Sequence, residues 1–421
     1  MGQNKQAARI LEAARAEIDT LCSPTLAGRG YVDDGHRKAA AYLGQRFLEI
    51  GLRAPFEQRG TSAHQTYWQT FPLQINLASE AHVQLDEESL QAGTDFIVNR
   101  FSGSGEIDAP VVDLGYGLNK KKYKRIKGKV ALFRAGWPAE IANDSEKKAQ
   151  YKSLAKVMDR LLALRKAGPV AIIVVQKKLT AAFTRENIGI PVVELLAARY
   201  ESKAKNAQIR VVAEMTTLQS QNVIGFIPGK KEPEKMLIIS AHYDHLGRLE
   251  DAIFTGANDN ASGTSMLLSL AEHFTQPKHQ PDYSLMFIAF GGEETGLIGS
   301  NFYVNQQPLY PLEKTQFILN LDLMGNGIDG ITAVGGKDYP DIFDRLVKTN
   351  EKLEAVPKVL GRPNAPNSDH YFFLKAGVPG FFIYTLGGPP HYHDVNDNPS
   401  NIVLSKYVEV RALLIQFLED F

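Results

Sequence analysis

The chain contains one cysteine, Cys22, so neither an internal disulfide nor a thiolate-rich zinc cluster can form. No apolar run approaches the roughly 20 residues that a membrane helix needs. Neither sign of charge dominates, because Lys plus Arg and Asp plus Glu each number 47. That balance argues against nucleic acid or an anionic membrane as the main partner. The opening stretch "MGQNKQAARILEAARAEIDTL" has helical spacing with charges throughout, which is not the pattern of a signal peptide. Gly2 follows Met1, but Gln6 stands where myristoylation wants Ser or Thr. Internal repeats and low-complexity tracts are lacking too.

What is present is an ordinary globular composition, 44% hydrophobic, in a chain of 421 residues, long enough for two domains. Residues 35–52 carry apolar positions at helical spacing and stop at Gly51. A β-leaning stretch, "HQTYWQTFPLQINL", follows. Between about 80 and 214 short strands such as "KGKVALFRAG" and "PVAIIVVQ" flank one long basic helix, "YKSLAKVMDRLLALRKAG". From 216 onward strands and helices alternate: "MLIISAHYDH", "SGTSMLLSLAEHF", "YSLMFIAF", "GLIGSNFYVNQ", "FILNLDLMG", "YPDIFDRLVKTNEKL", "GFFIYTLG" and "SKYVEVRALLIQFLEDF". Such alternation predicts an α/β fold whose mostly parallel sheet is covered by helices on both faces. Ligand sites in such sheets lie beyond the carboxyl ends of the strands.

The chain places acidic and imidazole side chains at those ends repeatedly. His242 and Asp244 close "IISAHYDHLG", and Asp259 sits in "TGANDNASGTS". Glu293 and Glu294 follow a buried-looking strand in "FGGEETGLIGS", Asp322 follows "FILNL", and His391, His393 and Asp397 lie in "GGPPHYHDVNDNPS". Singly, each has a structural explanation: a backbone-bonded His, an Asp at a turn or cap, a Glu at a helix start. Together, five strand-end segments with oxygen and imidazole donors and no sulfur describe a divalent-metal site, with zinc favoured. The set is large enough for two ions with a bridging carboxylate. A cation beside one of two adjacent glutamates also relieves their mutual repulsion, leaving the other free to carry a proton.

The segments "AHYDH", "GANDNASG", "GGEETGLIGS", "NLDLMG" and "YHDVNDN", in this order, resemble the co-catalytic di-zinc aminopeptidases, the family of aminopeptidase Y, bacterial leucyl aminopeptidases and glutamate carboxypeptidase. The early stretch "LAGRGYVDDGHRKAAAYLGQRFLEIGL" resembles that family's opening segment. Residues 80–214 resemble the protease-associated domain that some members carry as an insertion. The resemblance implies a three-layer α/β/α zinc-peptidase (phosphorylase/hydrolase-like) domain built from 1–79 and 215–421, interrupted by the β-rich insert 80–214. It implies that His242 and Asp322 bind one zinc, Glu294 and His393 the other, and that Asp259 bridges them. Asp244 would orient His242 through its carboxylate, Glu293 would be the general base, and Tyr392 a donor to the oxyanion. The last motif departs from the family's Tyr-His-Thr-x-x-Asp-Thr, since Asp394 and Asn398 replace the threonines. His393 is preferred over His391 because Tyr392 precedes it and Asp397 follows four residues on.

The expected activity is therefore metallo-aminopeptidase: two Zn2+ ions make a bridging water acidic enough to attack a peptide carbonyl, and Glu293 relays its proton. Peptide is the expected substrate, and a periplasmic or secreted location is implied by the family. The rivals are a carboxypeptidase acting on acidic peptides, a single-zinc glutaminyl cyclase, and a binding protein that kept the scaffold without catalysis, as transferrin receptor did. The insert would either wall part of the substrate cleft or merely decorate the fold.

Overall fold

The strands of the second half are unbroken apolar runs. In Glu232–His242 every residue from Met236 onward is buried, and Tyr283–Phe290 and Thr315–Leu321 are nearly as dry. A strand covered on both faces needs such a run, since its alternate side chains enter different cores. In the computed structural model, which describes residues 2–56, 62–200 and 204–421, that division is visible. Leu237, Ile239, Ala241, Leu285, Phe287 and Ala289 join one cluster, whereas Met236, Ile238, Met286, Ile288 and Phe290 join another. Met1 and the segments 57–61 and 201–203 lie outside the description although the expected domain bounds include them.

The first cluster is roofed by helices Gly2–Leu21, Gly35–Ile50, Gly263–Phe274, Pro340–Leu353 and Tyr407–Glu419. Helices Ile298–Asn305 and His370–Lys375 cover the second. The architecture is thus three layers, α/β/α, as expected. Across the sheet, Gly380–Thr385, Thr315–Leu321, Glu232–His242 and Tyr283–Phe290 run parallel in that order. Two strands that the sequence pattern did not predict, Ile331–Val334 and Val359–Arg362, extend this side. At four residues each they are too short to display a period.

Two long strands carry the sheet beyond this part. Trp68–Leu85 and Asn206–Ile227 pair antiparallel along almost their whole length, through both expected domain borders. The second of them pairs with Tyr283–Phe290 at one end and with Gly105–Asp113 at the other. Strands Val130–Arg134, Ala171–Gln176 and Val192–Leu196 continue in parallel from there. Among the described residues this makes one fourteen-stranded sheet. The region between the borders has clusters of its own, around Phe96 and Leu132 and around Phe133 and Leu161. Residues before the first border, from Ala14 to Tyr67, pack into the same cluster as residues 223–418.

The long basic helix is a correction. A 3-10 turn, Lys152–Leu154, precedes a nine-residue helix, Val157–Arg165, and Lys156 between them is extended. The buried Arg160 explains the break, for its guanidinium takes the carbonyls of Leu154, Tyr116, Arg134 and Gly136. A continuous helix would have kept the Leu154 carbonyl for its own ladder.

Candidate metal centre and catalytic site

Parallel register aligns the motif residues along one edge. Phe290 pairs with His242 and Asn320 with Ser240, so His242, the Glu293–Glu294 turn and Asp322 leave three adjacent strands at the same level. Neighbouring strands lie about 4.8 Å apart, which puts these side chains within reach of a common ion.

The Asp259 loop comes down onto this edge. Asp259 Oδ1 lies 3.3 Å from His242 Nε2, and Oδ2 lies 3.1 Å from His393 Nε2. Asp322 Oδ1 is 3.3 Å from His242 Nε2, and Glu294 Oε2 is 3.1 Å from His393 Nε2. Four ligands at about 2.0–2.1 Å around a tetrahedral zinc stand about 3.3 Å from one another. These separations are therefore those of ligand pairs sharing an ion. Asp322 Oδ1 is buried and makes no hydrogen bond, while Oδ2 accepts from Ser368 at 3.0 Å. An orphaned acceptor aimed at the cluster is what a metal ligand looks like before its metal is added.

The electrostatics agree. Burial opposes charge on Asp259, yet contacts with His242 and His393 hold it well below the usual carboxylate range. Burial likewise opposes charge on His393, but Glu294 and Asp259 prevail and push it up to about 11. Buried carboxylates crowded against imidazoles call for positive charge, which divalent cations supply.

Glu293 differs from its neighbour. Its carboxylate lies within 4.8 Å of ligand atoms of both His242 and Asp322, yet makes no hydrogen bond among the described residues. Burial first, then Glu294, Asp369 and Asp322, hold it well above the usual range despite His242. It lines a cavity of about 240 Å³ together with His242, Asp259, Asp322, Arg362, Tyr384 and Tyr392. Tyr392 is 52% exposed at the mouth, its ring stacked on His393 with centroids 3.8 Å apart. His391 stands outside the cluster, 3.8 Å from Asp394.

Asp244 meets His242 through its backbone rather than through the expected carboxylate. The ring of His242 is held by the carbonyl of Asp244, at 3.2 Å from Nδ1, not by its carboxylate. That carboxylate, fully buried, accepts the backbone N–H groups of Glu293 at 3.1 Å and Glu294 at 3.4 Å, and the hydroxyl of Tyr31 at 3.0 Å. Burial raises it to about 6, with His242 opposing and Glu294 adding to the rise. It shapes the turn that aims the two glutamates.

Several residues escaped the sequence reading. His245, inside a quoted motif, places Nδ1 2.7 Å from Glu294 Oε1. Asp369, whose carboxylate is buried without a hydrogen bond, sits among the groups acting on Glu293. Arg29 is wholly buried and joins both ligand loops: it donates to the carbonyls of Tyr243 (2.7 Å), Thr255 (2.6 Å), Gly256 (2.9 Å) and Leu21 (2.9 Å). A side chain on Gly30 would strike Gly247 Cα at 2.3 Å, so only glycine lets this segment lie against the loop. The region 80–214 also reaches the site. The carbonyl of Ala181 is 2.8 Å from His393 Nδ1, which leaves Nε2 for the cluster.

Residues 222–418 match Peptidase family M28. Aminopeptidase YwaD of Bacillus subtilis (strain 168) is 30% identical over 339 residues, or 74% of this chain and 67% of that protein. A glutamate carboxypeptidase 2 homolog of Caenorhabditis briggsae is 29% identical over 224 residues, or 45% of this chain and only 28% of that protein. Among solved structures, BSAP, a zinc aminopeptidase from Bacillus subtilis, aligns with a TM-score of 0.70 at 22% identity, over 97% of this chain and 94% of that one. The last likeness establishes the fold, and the sequence match to YwaD, over two thirds of that protein, establishes descent: the chain belongs to peptidase family M28.

Proposed function

We propose that the protein is a zinc-dependent exopeptidase, an aminopeptidase that removes N-terminal residues from peptides with Glu293 as general base. The observation that carries this reading is the two-sided Asp259, one oxygen facing His242 and the other His393. His242, Asp259 and Asp322 would hold one zinc, and His393, Asp259 and Glu294 the second. When bound, such ions supply a water acidic enough to ionise near neutral pH and positive charge for a developing oxyanion. Glu293, unbonded and beside both His242 and Asp322, takes the attacking water's proton and returns it to the leaving amine. Tyr392, stacked on His393 at the mouth, is positioned to donate its hydroxyl to the substrate carbonyl.

Cleft lining supports an amino terminus as the bound group, since Glu293, Asp259 and Asp322 suit a substrate ammonium. The relative YwaD is itself named an aminopeptidase. Residues 80–214 serve in this reading as an inserted domain of the protease-associated type that supports His393 as well as walling the cleft. One observation favours the carboxypeptidase alternative: Arg362 lines the same cavity, bonds Tyr384 Oη at 3.1 Å and has no carboxylate partner among the described residues.

Metal analysis combined with a substrate screen tests both. At the His242–His393 cluster, two zinc ions and chelator-sensitive cleavage of aminoacyl-anilides are expected, whether or not a peptide's C-terminus is blocked. Cleavage only of peptides with a free C-terminus would transfer the assignment to the carboxypeptidase. One zinc would favour a cyclase, and none with no turnover a binding protein.

A further inference from the structure

Three metal-ligating side chains outside the catalytic cluster meet at the far end of the helix that begins beside Asp259. That helix, Gly263–Phe274, has twelve residues. It is therefore about 18 Å long from end to end. His273 is its penultimate residue, Glu419 ends helix Tyr407–Glu419, and His279 ends the short turn Pro277–His279. One nitrogen of each imidazole and one oxygen of Glu419 lie within 4.8 Å of one another. Glu419 Oε1 is 3.3 Å from His273 Nε2 and 3.8 Å from His279 Nδ1. The shorter distance equals the about 3.3 Å edge of a tetrahedral zinc site.

A simple ion pair explains this arrangement poorly. The two rings stack with centroids 3.9 Å apart, so a proton on one opposes a proton on the other. Arg411 is occupied by Ser269, through Oγ at 2.7 Å and the carbonyl at 3.0 Å, and so leaves Glu419 to the imidazoles. Two helices also end here, and carbonyl ends of helices favour a cation. Two imidazoles facing one carboxylate are a donor set for a zinc-class ion.

We propose that His273, His279 and Glu419 form a second metal site, separate from the catalytic cluster, that takes a divalent transition ion of the zinc class. Water completes its coordination, and the ion clamps the C-terminal helix to the helix that carries the Asp259 loop. The site stands independently of the proposed peptidase mechanism.

The test titrates zinc into the full chain by equilibrium dialysis, with His279→Ala at a half-buried position and Glu419→Gln at an exposed one as variants. Wild type should bind one ion more than either variant, and added zinc should raise the Tm of wild type alone. Each variant should weaken that extra ion by at least the roughly 10–100-fold that even loss of a ligand's outer partner costs. Peptidase activity at saturating zinc should be equal in all three. Equal stoichiometry and equal affinity in the three proteins would overturn the site. Loss in His279→Ala but not in Glu419→Gln would overturn the assignment of the carboxylate.

Discussion

Asp397 Oδ2 accepts the backbone N–H of Asp259 at 2.9 Å, and Asp397 Oδ1 accepts that of Asn258 at 2.8 Å. The aspartate of the last motif thereby fixes the backbone of the carboxylate that faces both histidines, 138 residues earlier. Asp397→Asn replaces one acceptor with a donor that faces an N–H group. Zinc affinity should fall about 10–100-fold, the cost of losing an outer partner of a ligand. Chelator competition measures it; unchanged metal retention would show that the loop holds its shape without Asp397.

Glu293→Gln should nearly abolish turnover with both zinc ions retained, because glutamine keeps the size but cannot accept a proton. A loss of about 10²–10⁴-fold in kcat sets the scale. Glu294→Gln should instead release or loosen metal. Zinc content measured beside aminopeptidase rate separates the pair, and exchanged phenotypes would reverse their roles.

Lys178 ties the region 80–214 to the His393 loop through the carbonyls of Pro390 (2.7 Å) and Tyr392 (3.0 Å) and an ion pair with Asp394 at 3.3 Å. Lys178→Ala should cost little global stability, within about 1 kcal/mol for exposed charge contacts. It should nevertheless make one of the two zinc ions leave faster, because Ala181 would hold His393 less firmly. Biphasic chelation kinetics, with only one phase accelerated, is the expected readout. If neither phase changes, the region 80–214 does not support His393.

Burial raises the thiol of Cys22 from 9.0 to about 11, partly offset by Arg29. A raised acid is protonated in the folded chain and ionised in the unfolded chain between those values. Stability should therefore fall as pH rises from 9.0 towards about 11. The loss amounts to about 3 kcal/mol at most. Denaturant unfolding of Cys22→Ala across this range should lack that component. At neutral pH, thiol labelling should track unfolding rather than precede it.

Much of the site was legible because its chemistry sits on contiguous motifs at strand ends. Continuous apolar runs marked the parallel strands, and in the second half of the chain acidic or imidazole residues stand at or beyond the ends of several of them. The two four-residue strands stayed hidden, since so short a run has no period, and the helix break at Lys156 follows from the hold of Arg160 on the Leu154 carbonyl, which periodicity does not record.

What the sequence by itself determined was the α/β layering and the residue types gathered for metal chemistry, because both are encoded locally. Tertiary structure alone decided that the carbonyl of Asp244 holds His242 while its carboxylate shapes the glutamate turn. It also brought Arg29, Asp369 and Ala181 to the cluster. Those contacts join segments remote in the chain, and hydrogen bonds between such segments depend on where the backbone passes, which no local pattern of side chains records.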